Sequence, residues 1–325
     1  MIPHRLYVAA VGQGIFRSLD HGDTFRRAVD GMPFVECDVR ALVVDPHRPE
    51  VLYAGNEEGL FVTRDGADTW ERVPGPLDGR QIWTIHLSAT RPGRLLVGTC
   101  PAAVFRSDDG GASWQQATAD MTADCPRIRH TRVTCFAADP DDPDRLWAGV
   151  EIDGVHHSSD GGRTWARIGT GLSSPDIHAL AVVPAAGGPK RLLATTNRDL
   201  NSSEDGGQTW RPFGLARQLP WIYTRGLAQL CGTPANVLMG AGEGPPGWEG
   251  TICRSYDGGR TWGEACLHAR TNSTVWCFAV HPAEPDLVYA ASVSGEVYRS
   301  FNAGDTWRKL PREFGEIRGL AWAPH

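Results

Sequence analysis

The stretch SSDGGRTW, residues 158–165, decides the fold, because it recurs along the chain: SLDHGDTF from Ser18, TRDGADTW from Thr63, SDDGGASW from Ser107, SEDGGQTW from Ser203, SYDGGRTW from Ser255 and SFNAGDTW from Ser300. Seven copies at intervals of 44 to 52 residues suit one four-stranded blade each, a longer period than most solenoid repeats use. Within each copy the Asp carboxylate can accept N–H groups of its own turn. Glycine supplies the left-handed backbone conformation, and the closing Trp or Phe plugs the space between sheets. Asn302 in place of Asp, and Ala67 after Gly66, still suit a turn.

Around each turn the same four segments recur. In the second unit RALVVDP, VLYAG, LFVTR and WERV read as strands A to D, with the repeat as the C-to-D hairpin. The chain opens at a B-like strand, LYVAAV from Leu6, and closes on an A-like strand, IRGLAWAP, residues 317–324. The fold class expected is therefore all-β: a single seven-bladed β-propeller over residues 1–325, its ring closed by the C-terminal strand A pairing with the N-terminal strands B, C and D. Closure of that kind removes two sheet edges. Helices are predicted nowhere.

Composition agrees. The 325 residues carry 41% hydrophobic and 22% charged side chains, with 38 glycines and 23 prolines for many turns. A formal charge of −6 gives no global basic field, so neither nucleic acid nor an anionic membrane is an expected partner. No apolar run reaches membrane-spanning length and the first residues lack a signal-peptide pattern, which makes a cytoplasmic location the expectation. The eight cysteines show no metal-type spacing and read as reduced thiols, with Cys135 and Cys277 as core residues.

The S-x-D-x-G-x-T-W turns resemble the bacterial neuraminidase repeat, and essentially the whole chain looks like the Asp-box propeller superfamily. That superfamily includes sialidases, two-domain xyloglucanases, the sortilin ectodomain and photosystem II assembly factors, so the resemblance implies a fold and not a reaction. Sialidases are six-bladed and carry an Arg-Ile-Pro motif ahead of the first box. Here the nearest string, CPRIRH from Cys125, lies between the third and fourth boxes and lacks the proline after Ile128. Sialidase activity is not expected.

Function is sought on the face opposite the boxes, around the mouth of the central channel. Aligning the A strands places one residue per blade at the same ring position: Arg40, Trp83, Thr134, His178, Arg225, Trp276 and Arg318. Arginines converging on one axis call for an anion or for interleaved carboxylates, and a Trp offers a flat face to a sugar. Two readings stay open. In one, Arg40, Trp83, Arg198, Arg225, Trp276 and Arg318 bind a small anionic or sugar-like molecule, with hydrolytic or lyase-type turnover through Glu151, Asp153, His178 or Glu243. In the other, the same arginines contact an acidic protein partner as an assembly scaffold. A third option has acids of the B-to-C loops pair with the arginines and fill the channel. Glu151 and Glu243, each just after strand B, are a candidate acid–base pair. No cofactor is expected; His130, His178 and Glu151 form a weaker alternative metal set.

Overall fold

The computed structural model describes residues 2–32, 37–126, 128–184, 190–233, 235–267 and 270–325. Seven sheets form seven blades, each with strand A innermost and strands A to D antiparallel; in blades 4 and 7 a short fifth strand, Thr118–Ala119 or Cys266–Leu267, pairs in parallel outside strand D. Blade 1 takes strand A from the far end of the chain, Ile317–Pro324, which pairs with strand B, His4–Ala10, from Pro324↔His4 to Ile317↔Ala10. The expected ring closure is present. Blades 2 to 7 begin with strands A at Ala41–Asp45, Gln81–Leu87, Val133–Ala138, Ile177–Val183, Tyr223–Gln229 and Val275–Ala279. Among the described residues the one helical element is a 3-10 turn, Leu215–Arg217, so the expectation of no helix fails only by that turn.

Strand B is buried on both faces, as in Leu146–Val150, because blades stack face to face and each inner strand lies between two neighbours. Seven apolar clusters result, one in each interface between blades. That between blades 7 and 1, built on Leu6, Val8, Tyr289, Leu310 and Trp322, is constructed like the others. Close approach there demands small residues. A Cβ on Gly149 of strand B would come within 2.5 Å of Ile177 in the next blade.

The Asp boxes work as local hydrogen-bond knots. In the box of blade 4, Asp160 Oδ1 accepts the Thr164 N–H at 3.0 Å and Oδ2 accepts the Thr164 hydroxyl at 2.7 Å, while Ser158 Oγ donates to Asp160 and accepts the Gly162 N–H. Asn302 keeps the pattern by reversing one bond, its amide donating to Thr306 Oγ1. The closing indole donates to the carbonyl of its own box glycine in five boxes, as Trp165 does to Gly162. Each box is also tied to the preceding blade. Tyr53 donates to the Gly110 carbonyl, Trp147 to Gly206, and, across the closure, Tyr289 and Arg299 to His21. Covering these turn carbonyls from the neighbouring blade fixes the rotation from one blade to the next.

Candidate functional site: the mouth of the channel

All seven ring residues named from the sequence line one cavity of about 270 Å³ on the axis. Their common orientation has a backbone cause. In blades 1, 3, 4, 5 and 7 the pairing of strand A with strand B skips one residue, and the skipped residue is Arg318, Trp83, Thr134, His178 or Trp276. In blade 6, Arg225 and Gly226 together stand opposite one residue of strand B. These are β-bulges, which turn one side chain out of the sheet, here toward the axis. Arg40 reaches the same place at the entry to its strand, with its N–H bonded to the Gly55 carbonyl.

Guanidinium groups gather on the two indoles of the ring. Arg40 and Arg132 lie over Trp83 at 5.0 and 4.3 Å, and Arg225 and Arg318 over Trp276 at 4.1 and 4.2 Å. Arg318 also lies over Trp83, at 5.6 Å, so each indole has more than one guanidinium against it, and the sugar-stacking surfaces expected of Trp83 and Trp276 are crowded by the protein's own arginines. What Trp276 retains is its Nε1–H, buried and without a partner.

Acids do interleave, from a different place than expected. Asp38 pairs with Arg40 at 2.9 Å, Glu316 with Arg318, and Asp176 with His178 at 3.4 Å, each acid two residues ahead of its partner on the approach to strand A. The strings DVR, DIH and EIR carried that signal. Of the acids named in the B-to-C loops, Glu151 alone pairs with a cation of the mouth, Arg132. Arg225 differs from the other three arginines. Its side chain stacks on Trp276 and donates to Tyr223 Oη at 3.3 Å, and among the described residues it makes no ion pair.

The proposed acid–base set is not assembled. Glu151 is half-buried beside Arg132, and desolvation raises its carboxyl above the ordinary value. Glu243 is exposed and closes its own loop by accepting the Trp248 N–H at 2.9 Å. Asp153 is buried away from the axis. It accepts from Thr122 N–H and hydroxyl and from His156, and these bonds lower its carboxyl in spite of burial, so it anchors the segment that follows the third box. His178 is buried, donates Nδ1–H to the Thr224 carbonyl at 2.6 Å, and is held below the usual imidazole value by burial and by the Arg225 charge. Arg198 is exposed on its turn and does not line the cavity.

The metal alternative fails for the same reason. His130 pairs with Asp124, Glu151 with Arg132 and His178 with Asp176, and among the described residues no three His, Cys, Asp or Glu side chains converge as ligands. Cys135 and Cys277 line the deeper wall, their thiols pushed up to about 11 and about 12 by burial. On the long connections that precede strands A of blades 4, 6 and 7, Trp221 is buried with Arg270 stacked on it at 4.5 Å, and Arg127 and His268 lie outside the described residues.

No family model matches the chain. A probable oligoxyloglucan-reducing end-specific xyloglucanase of Neosartorya fischeri is 23% identical over 229 residues, 57% of this chain and 27% of that protein. The oligoxyloglucan-reducing end-specific xyloglucanase of Emericella nidulans is 30% identical over 132 residues, 35% of this chain and 16% of that one. The matched parts thus span about a quarter or less of these curated relatives. Among solved structures, the GH74 xyloglucanase from Xanthomonas campestris superposes with a TM-score of 0.65 at 20% identity, over 95% of this chain and 47% of its own. YCF48 from Cyanidioschyzon merolae gives 0.59 at 17%, over 90% and 97%, and YCF48 bound to D1 peptide gives 0.57 at 17%, over 86% and 85%. At such identities the likeness is one of fold, and the chain is a seven-bladed β-propeller.

Proposed function

We propose that the channel mouth binds a small anionic ligand and that Arg225 is its seat. The observation that carries this reading is the difference among the four arginines of the mouth: Arg40, Arg132 and Arg318 each have a carboxylate partner, and Arg225 has none among the described residues. A guanidinium in a walled cavity without a counter-ion favours an anion strongly, and its fork accepts two oxygens of a carboxylate or phosphate. The cavity lies at the small end of ligand pockets, which suits a compact molecule or the end of a chain. Binding without glycoside hydrolysis is the reading the geometry favours. Glu151 is committed to Arg132 and Glu243 to its own loop, so neither is placed as acid or base.

A scaffold role is the second reading. It is supported by near full-length likeness to YCF48, one structure of which is bound to D1 peptide, against likeness to under half of the GH74 chain. An acidic peptide end would use the same arginine. A cytoplasmic setting is proposed as well, supported by eight cysteines that are all unbridged. The test is a thermal-shift series with acetate, inorganic phosphate, sugar acids and an acidic peptide, since any ligand of the folded state raises its melting temperature. A shift from a small anion that disappears in Arg225→Ala supports the proposal. A shift from the peptide alone favours the scaffold, and hydrolysis of a xyloglucan oligosaccharide would overturn the binding-only reading.

A further inference from the structure

The arginines that line the cavity, Arg225, Arg318 and Arg40, all come from one side of the ring, blades 6, 1 and 2, with Trp276 of blade 7 among them. The opposite side presents Thr134 and His178, an imidazole that burial keeps from charging near neutral pH. The guanidinium carbons of Arg225 and Arg318 both lie within 4.2 Å of the centre of the Trp276 ring, so they are no more than twice that distance apart. Glu316 accepts from Arg318 at Nε alone, and Tyr223 accepts from one terminal nitrogen of Arg225. The other N–H groups of this pair have no protein partner among the described residues, and neither side chain leaves a nitrogen buried and unbonded. Those groups therefore open on the cavity: Arg318 keeps 18% of its side chain exposed, and Arg225 is likewise only part-buried. Burial and the like charges of Arg225 and Arg40 hold the Arg318 guanidinium below its ordinary value in spite of Glu316. Asp176 and Glu151 feel the Arg225 charge but pair with His178 and Arg132. Glu316 is thus one carboxylate for two neighbouring cations, which repel until more negative charge comes between them.

Resting on the anion reading above, we propose that the ligand is a compact dianion held jointly by Arg225 and Arg318, whose open N–H groups face one cavity. Two chemistries supply two such charges, a phosphate and a short dicarboxylate. A phosphate offers oxygens to both guanidinium forks from one centre, and a dicarboxylate gives one carboxylate to each. A monoanion seated on Arg225 leaves the terminal nitrogens of Arg318 without an acceptor. A cavity of about 270 Å³ has room for inorganic phosphate, malonate or succinate.

The experiment is calorimetric titration of the whole chain, at constant ionic strength and about pH 8 so that phosphate carries close to two charges. Inorganic phosphate, malonate and succinate are each compared with acetate, and succinate also with its monomethyl ester. Binding of at least one dianion about tenfold tighter than the monoanions is expected. Tight phosphate with weak dicarboxylates supports the proposal with both charges on one group, and the reverse supports it with two carboxylates. In Arg318→Gln the advantage of the dianion over acetate should shrink to about twofold or less. An undiminished advantage removes Arg318 from the site and overturns the proposal. Should Arg318→Gln fail to fold, succinate against its monomethyl ester and phosphate against acetate, on the unaltered protein, decide. Acetate binding as tightly as every dianion overturns the dianion and leaves the anion reading standing. If no probe binds, both readings fall.

Discussion

The two ends of the propeller are built on opposite plans. At the box end, seven turns repeat nearly one set of side chains, and each set bonds largely to itself: Asp or Asn with Thr or Ser, Ser or Thr with a turn N–H, and in five boxes Trp with a turn carbonyl. At the mouth, the bulge recurs around the ring but the residues it presents do not, running Arg, Arg, Trp, Thr, His, Arg, Trp from blade 1 to blade 7. Repeated chemistry that closes on itself marks a structural device. Varied chemistry on a repeated backbone, with Arg225 making no ion pair among the described residues, is what the proposed ligand site rests on.

Substitutions that separate the two plans sharpen the comparison. The largest stability loss should come from Trp147→Ala, which empties part of the interface between blades 4 and 5 and removes the donor to Gly206; about 3–5 kcal/mol is expected in denaturant unfolding. Asp160→Ala breaks the box knot, but most of its bonds face solvent, so the cost should be nearer about 1 kcal/mol, with ligand response unchanged. A selective loss of binding in that variant would break the comparison. Ala303, which holds φ at 54° where most boxes have glycine, should gain about 0.5 kcal/mol as Ala303→Gly.

Acid should weaken the fold in two steps. His4 and His178 are held below the ordinary imidazole value, chiefly by burial, so as pH falls below about 6.5 the unfolded chain binds protons that the folded chain refuses. Stability then drops toward their folded values. The box carboxylates Asp20, Asp65 and Asp160 sit at about 2, against burial, because Thr and Ser hydroxyls and turn N–H groups bond the charged form. Their contribution is full above about 4 and is lost as pH falls through about 2. Urea midpoints measured from pH 8 to pH 3 check both steps, and His4→Gln should shrink the first without touching the second.

The blade plan was legible because it is written as a period. A box every 44 to 52 residues, with strand-like segments between, gave blade number, strand order and closure. The ring position was legible too, since aligning the A strands brought Arg40, Trp83, Thr134, His178, Arg225, Trp276 and Arg318 to one cavity. What was hidden depends on side-chain direction. The bulge leaves no composition signal, and from the sequence alone Glu151 and Glu243 look alike, though one is half-buried beside Arg132 and the other closes a surface loop. The acids beside the ring, Asp38, Asp176 and Glu316, stand two residues ahead of their partners, just before strand A begins. Searching the loops opposite overlooked them.

The most direct test is to measure unfolding and anion binding in parallel on Arg225→Ala and Asp160→Ala. The account predicts a crossed result: Arg225→Ala unfolds with the unaltered protein, within about 0.5 kcal/mol, and loses binding, while Asp160→Ala is weakened and binds normally. If Arg225→Ala is instead the destabilised one, the arginine ring is packing for the channel, and the mouth is as structural as the boxes.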